Sequence, residues 1–196
     1  MIRSKNLNNA FFSSAKDGSL EEILENVGFQ NQFATMDQTH SSEIAFADSC
    51  ISYKSDGIYT DKIKLPLVIK TADCVPILME SSKGVSATHA GWRGLEKSIF
   101  EKSIAIHEIS SLKISIGPHA RKCCYEVGVE FLEKFNKSIN KIEGKYYLDL
   151  TKNIKQFALE NNINLEDTGE CTICNKEYFS YRKNKTSERQ FSFIWI

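Results

Sequence analysis

Residues 65–94 read LPLVIKTADCVPILMESSKGVSATHAGWRG, and this stretch decides the fold. It contains three short apolar runs, Leu65 to Ile69, Val75 to Met79 and Val85 to Thr88, each bounded by turn-forming residues. Runs of that length and punctuation predict buried strands rather than helices. Two polar blocks interrupt them: Thr71-Ala72-Asp73-Cys74 between the first two runs, and His89-Ala90-Gly91-Trp92-Arg93-Gly94 after the third. Side chains at strand ends project onto the rim of a sheet, where binding sites are built.

Outward from this segment the pattern stays mixed. Glu43 to Ala47, Lys113 to Ile116, residues 177 to 182 and the terminal Gln190 to Ile196 read as strands, the last with Phe191, Phe193 and Trp195 on one side. Helical spacing appears over 95–106 (Leu95, Ile99, Ile106), over 129–139 (Val129, Leu132, Phe135, Ile139) and over 151–160, where Thr151 is placed to cap. Strict strand–helix alternation is missing, so a layered α+β domain is expected rather than a doubly wound sheet. No Pro/Gly/Ser-rich linker or repeat divides the chain, and a single domain over 1–196 is the expectation.

Composition narrows the function. The 196 residues hold 25 Lys plus Arg against 25 Asp plus Glu, so no basic excess points to nucleic acid or to an anionic membrane surface. No apolar run approaches the roughly 18 residues of a spanning helix, and Met1 to Asn6 lack a secretory apolar stretch. A cytoplasmic protein is the default. Six cysteines are then expected as core residues, ligands or nucleophiles rather than bridges. No P-loop or Gly-x-Gly-x-x-Gly occurs.

Cys74 and His89 admit three readings: a buried thiol with a hydrogen-bonded core histidine, a Cys–His nucleophilic pair, or two ligands of a metal. His40 is the attractive third ligand; two imidazoles and one thiolate suit zinc with an open fourth position, which lowers the pKa of bound water towards ~7. The turn after His89 opens a helix at 95, and Arg93 stands there as a fork donor for an anion. His119 is a candidate to line a substrate pocket, Arg182 reads as an anion ligand or as a strand-end salt bridge, and His107 reads as a solvated surface residue. Cys171 and Cys174 have metal-knuckle or redox spacing, but a structural zinc needs a second pair and Cys123-Cys124 are adjacent rather than spaced, so in each set one thiol is expected to be buried and the other incidental.

Taken in order, Gln38-Thr39-His40, Asp56-Gly57, Thr71 to Ile77, His89 to Gly94, Ile116-Gly117-Pro118, Cys124 to Val127, Asp149-Leu150, Cys171-Thr172 and Phe179 to Arg182 resemble the laccase-domain proteins. That family was first labelled multicopper polyphenol oxidases and later reassigned as purine nucleoside phosphorylases with adenosine deaminase and methylthioadenosine phosphorylase side activities. The resemblance implies a layered α/β/β/α sandwich like the catalytic domain of cytotoxic necrotizing factor. It implies one zinc per chain on His40, Cys74 and His89, with copper possible in vitro. Four histidines cannot furnish a multicopper centre, and a single metal is expected. The implied substrates are a purine nucleoside and phosphate. Arg93 would bind the phosphate, Asp73 would orient a ligand or the nucleophile, and Asp73 with His119 would carry the proton in deamination. A monomer or homodimer is expected, with no nucleic-acid or membrane partner. A metal-free Cys74–His89 hydrolase and a non-catalytic zinc-binding domain are the competing readings. One departure concerns Phe12 to Gly18, where Ala15 occupies the family's usual Arg position beside Lys16; another is Thr186-Ser187-Glu188-Arg189 in place of Thr-Gly-Arg. Both bear on phosphate affinity and substrate range rather than on the metal.

Overall fold

A computed structural model describes residues 1–30 and 32–196. The central six-stranded sheet runs Asn164–Asp167, Lys113–Ile116, Val75–Ser81, Gly84–Ala90, Gly57–Thr60, Ile44–Phe46. The Val75–Ser81 and Gly84–Ala90 strands form an antiparallel hairpin turning at Ser82-Lys83, while both edge strands pair in parallel with their neighbours. A second sheet orders Ile2–Arg3, Ala10–Phe12, Gln190–Ile194 and Leu67–Thr71.

The period of two sorts the side chains into layers. Val75, Ile77 and Met79 join Ile114 and Ile116 beneath the helices, packing on Ile99, Phe100, Ile104 and Ile154. Leu78, Val85, Ala87 and Ile58 face the other way, against Phe12, Leu67, Ile69 and Ile194 of the second sheet. The outer face of that sheet carries Val68 and Phe193, with Phe11 and Trp195, under the helix Leu20–Asn26. Phe11 stacks on Phe193 and Trp195 at ring-centroid distances of 5.4 and 5.6 Å. The helix starts cleanly because Ser19 and Glu22 cap one another reciprocally. Helix, sheet, sheet and helix therefore stack in the expected order. Each fully buried Ile or Phe contributes about 1.5–3 kcal/mol.

Several local expectations are overturned. The periodic stretch 95–106 is two helices, Trp92–Glu96 and Ile99–Ile104, because Ser98 adopts a left-handed φ of 63° that re-aims the chain so that Ile99, Phe100 and Ile104 bury. The stretch 129–139 is helical only over Phe131–Phe135; after one turn of 3-10 helix, Ile139–Ile142 pairs with Lys145–Leu148. The hairpin wins because Glu143 and Gly144, at φ 48° and 81°, supply the two positive-φ residues of a two-residue turn. Residues 177–182 are not a strand. Ser180 caps a short helix, Tyr181–Asn184, by accepting from the Lys183 N–H. Thr151 does precede the helix Lys152–Glu160, but its hydroxyl donates to Asp149 and caps nothing. Among the described residues no helix is long and apolar enough to cross a membrane.

Candidate active site

Register places the chemistry at one end of the central sheet. Pro76 pairs with His89 and Val75 with Ala90, which sets Cys74 beside the Gly91 turn. The neighbouring strand begins at Gly57, opposite Thr88, and the His89 N–H donates to the Asp56 carbonyl at 2.7 Å. His40 reaches the same point from a loop in which it adopts a left-handed φ of 60°.

Asp56 holds that loop and the His89 ring together. Its carboxylate is fully buried and accepts the backbone N–H groups of Thr39, His40 and Ser41 at 3.1, 3.0 and 2.6 Å, and the Ser41 hydroxyl at 2.7 Å. The His89 Nδ1–H donates to Asp56 Oδ1 at 2.7 Å, so that whenever the ring is neutral the lone pair is on Nε2. Burial opposes the Asp56 charge, yet its hydrogen bonds from His89 and Ser41 hold the carboxyl well below the usual range. Burial likewise disfavours charge on His89 and Cys74. Their mutual attraction, strengthened by Asp56 and His40, wins and favours an imidazolium beside a thiolate.

His40, Cys74 and His89 place their ligand atoms within 4.8 Å of one another, with Cys74 Sγ 3.8 Å from His40 Nε2. A tetrahedral metal with bonds of about 2.0–2.3 Å needs its N and S ligands roughly 3.3–3.8 Å apart, so the set could bind a metal ion. Gly91 makes the cradle possible. A Cβ there would lie 2.9 Å from His40 Cδ2 and 3.0 Å from Cys74 Sγ.

The three side chains line a cavity of about 760 Å³. Its walls carry Lys70, Arg93, Arg182, Lys185 and Arg189 against a single carboxylate, Asp73, so its field favours an anion. Trp92, Tyr125 and Tyr181 add aromatic surface. The Arg93 guanidinium lies 4.4 Å from the centre of the Trp92 ring, and among the described residues no carboxylate pairs with it. Arg182 stacks on Tyr125 at 4.7 Å and donates to the Glu126 carbonyl, while its backbone N–H donates to Asp73 Oδ2 at 2.6 Å. Thr172 Oγ1 donates to the other Asp73 oxygen at 2.7 Å. Asp73 thus anchors the 171–182 segment from a φ of 91°.

Other sequence-singled residues lie elsewhere. His119 is not among the residues lining the cavity: it is buried, its Nδ1–H donates to the Gly117 carbonyl, and burial pulls its pKa down to about 4. His107 is not solvated. It sits buried between the Ser81 and Ser86 hydroxyls at 2.8 and 2.7 Å, where burial pulls it down to about 4. Lys16 pairs with Glu177 and does not line the cavity, whereas Arg189, from the departed Thr-Gly-Arg segment, does.

The cysteine expectation is corrected most. Cys171-x-x-Cys174 does have its second pair: the sulfurs of Cys123, Cys124, Cys171 and Cys174 all lie within 4.8 Å of one another. Among the described residues there are thus two groups that could bind a metal ion. Sequence reasoning missed Asp56 as well, whose only signal was the Asp56-Gly57 pair before an apolar run.

Residues 15–196 match the family model described as multi-copper polyphenol oxidoreductase laccase. A Clostridium acetobutylicum protein named purine nucleoside phosphorylase is 38% identical over 212 aligned positions, covering 94% of this chain and 90% of that one. An Aquifex aeolicus protein of the same name is 38% identical over 147 positions, covering 73% and 71%. The crystal structure of the Bacillus licheniformis hypothetical protein YfiH superposes with a TM-score of 0.84 at 23% identity, covering 95% of this chain and 92% of that one. YlmD from Geobacillus stearothermophilus gives 0.80 at 24%, covering 89% and 77%; both likenesses speak to the fold.

Proposed function

The chain belongs to the multi-copper polyphenol oxidoreductase laccase family, whose relatives in Clostridium acetobutylicum and Aquifex aeolicus are named purine nucleoside phosphorylases, and from that premise we propose that it cleaves purine nucleosides with phosphate. The observation that carries this reading is the His40–Cys74–His89 donor set on a cavity with five cationic side chains and one carboxylate. Adenosine, inosine and methylthioadenosine are the proposed substrates. A phosphate oxygen attacks C1′ of the sugar, the C1′–N9 bond breaks, and the base leaves with a proton, giving free purine and the pentose 1-phosphate.

Each wall has a part. Arg93 meets the phosphate as a bidentate donor, with its guanidinium plane fixed on Trp92 and no competing internal carboxylate. Lys70 and Arg189 extend the positive wall and take over from the family's N-terminal Arg, whose place Ala15 holds. Trp92, Tyr125 and Tyr181 offer ring faces to the purine. Asp73 keeps Arg182 and Thr172 in position. Asp56 holds His89 in the tautomer that presents Nε2, and the His40 loop in its left-handed turn. Zinc bound by His40, Cys74 and His89 supplies a Lewis-acid centre at the cavity wall. Adenosine deamination, in which water replaces the C6 amine and ammonia leaves, is a proposed side activity. Asp73 is then the proton carrier, since it is the lining carboxylate and His119 does not reach the cavity.

The test is phosphate-dependent release of free base by purified protein, alongside metal content by mass spectrometry. Turnover should disappear in Cys74→Ala and His89→Ala, together with the zinc held by His40, Cys74 and His89. A His89→Ala protein that has lost the metal of this set and still splits inosine at the wild-type rate overturns the proposal. A second reading, a metal-free hydrolase, draws on the thiolate-favouring surroundings of Cys74. Activity that survives chelation and is killed by iodoacetamide would select it.

A further inference from the structure

We propose that Cys123, Cys124, Cys171 and Cys174 form a second metal site, a zinc tetrathiolate that clasps together two loops of the cavity wall. The proposal does not rest on the phosphorylase reading. The four sulfurs come from two turns that local pairing has already ordered. In one, the N–H groups of Cys124 and Tyr125 donate to the Arg121 carbonyl; in the other, the Asn175 N–H donates to the Cys171 carbonyl at 2.9 Å. A bridge between His119 and Cys171 lays the two turns side by side.

Spacing and donor chemistry agree on the ion. Tetrahedral zinc with Zn–S bonds of about 2.3 Å needs sulfurs roughly 3.8 Å apart. Here all four lie within 4.8 Å, and Cys123 Sγ is 3.5 Å from Cys174 Sγ, far beyond the roughly 2.05 Å of a disulfide. No oxygen or imidazole belongs to the group, which excludes magnesium and calcium and favours a thiophilic ion. Cys171 is buried while Cys123 and Cys174 are exposed, so the ion would close the outside of a joint whose inner ligand is already covered.

The clasp has mechanical consequences. Tyr125 follows Cys124, and Thr172 follows Cys171 and holds Asp73. Arg182 links the same two loops by stacking on Tyr125 and donating to Glu126. With zinc in place, the 121–126 and 171–182 segments move as one unit; without it they are held by the Arg182 contacts and the bridge between His119 and Cys171.

The experiment uses the full chain purified under reducing conditions with zinc. About two zinc ions per chain are expected in the wild type, and about one in Cys74→Ala and in Cys174→Ser. X-ray absorption on Cys74→Ala should then report four sulfur neighbours, and cobalt substitution of it the intense visible bands of a tetrahedral thiolate site. Backbone hydrogen exchange in 121–126 and 171–182 should quicken in Cys174→Ser. Should that variant not fold, Cys74→Ala carries the test by itself. A zinc-free, folded Cys74→Ala protein whose four clustered thiols all alkylate overturns the proposal, and so does a Cys123–Cys174 disulfide found by mass spectrometry. Failure of the phosphorylase reading would appear separately, as absent turnover with both metal counts intact.

Discussion

Replacing Asp56 by Asn keeps the shape of the side chain and removes one acceptor oxygen from a group that uses both. In the native protein Oδ2 accepts from Thr39 N–H, Ser41 N–H and the Ser41 hydroxyl, while Oδ1 accepts from His40 N–H and His89 Nδ1–H. An amide oriented with its oxygen towards His89 turns its NH2 group against the N–H groups of Thr39 and Ser41. The opposite orientation turns it against His40 and forces the His89 proton onto Nε2. The first is the cheaper, and it strands two backbone donors at a site with no exposure to water. At about 1–3 kcal/mol for each unsatisfied donor, with partial relaxation, the expected loss of stability is roughly 2–4 kcal/mol. Loss of the partner carboxylate should also weaken metal binding at His40, Cys74 and His89 by about 10–100-fold. Urea denaturation reads the first effect and competition with a chromophoric chelator the second. A variant that unfolds at the wild-type midpoint and holds zinc with wild-type affinity would refute the role given to Asp56.

Gly91→Ala tests the cradle without altering a ligand: its Cβ would press on His40 and Cys74, so zinc affinity should fall by about 10-fold or more while thermal stability stays near wild type, and unchanged affinity would count against the site geometry. Arg93→Ala removes the proposed charge-assisted contact to phosphate, worth about 1.5–3 kcal/mol, so KM for phosphate should rise roughly 10–100-fold with a smaller change for the nucleoside. Burial and, more weakly, their cationic neighbours hold His107 and His119 at about 4, so the unfolded chain binds more protons between about 4 and 6.5. Their contribution is whole above pH 6.5 and lost as pH falls towards 4, about 3 kcal/mol for each; a His107→Asn variant should show a shallower acid slope in urea titrations across that window. Gly117→Ala places a Cβ 2.2 Å from Phe12 Cδ1 and 2.8 Å from Pro76 Cγ, and should cost about 1–3 kcal/mol, read as a lowered Tm.

Much of the layered fold lay in local pattern. The apolar run 75–79 reads as a buried strand and Phe191, Phe193 and Trp195 as one face of the last strand, and the structure has both, but it is packing that sorts Val75, Ile77 and Met79 from Leu78. Helix extents were less legible, because the spacing in 95–106 and 129–139 carries no mark of the left-handed Ser98 or of the pull of a hairpin partner. His107 was misjudged for a related reason: polar neighbours in sequence say nothing about the two serine hydroxyls that enclose it from other strands.

The sequence by itself determined which residues could do chemistry: the Cys74 and His89 blocks at strand ends, the fork donor Arg93, and the aromatic terminal strand. Only the tertiary structure decided which of them meet. Lys113 pairs with Asn164 in parallel, and beyond those strands the bridge between His119 and Cys171 keeps the two segments side by side, which brings two distant cysteine pairs together. Likewise His40 reaches Cys74 because a buried carboxylate, sixteen residues further along the chain, gathers three successive backbone N–H groups into one turn. Side-chain periodicity is a property of neighbours within a few residues, whereas a ligand set is fixed by pairing between strands, and that information resides in contacts rather than in the order of the chain.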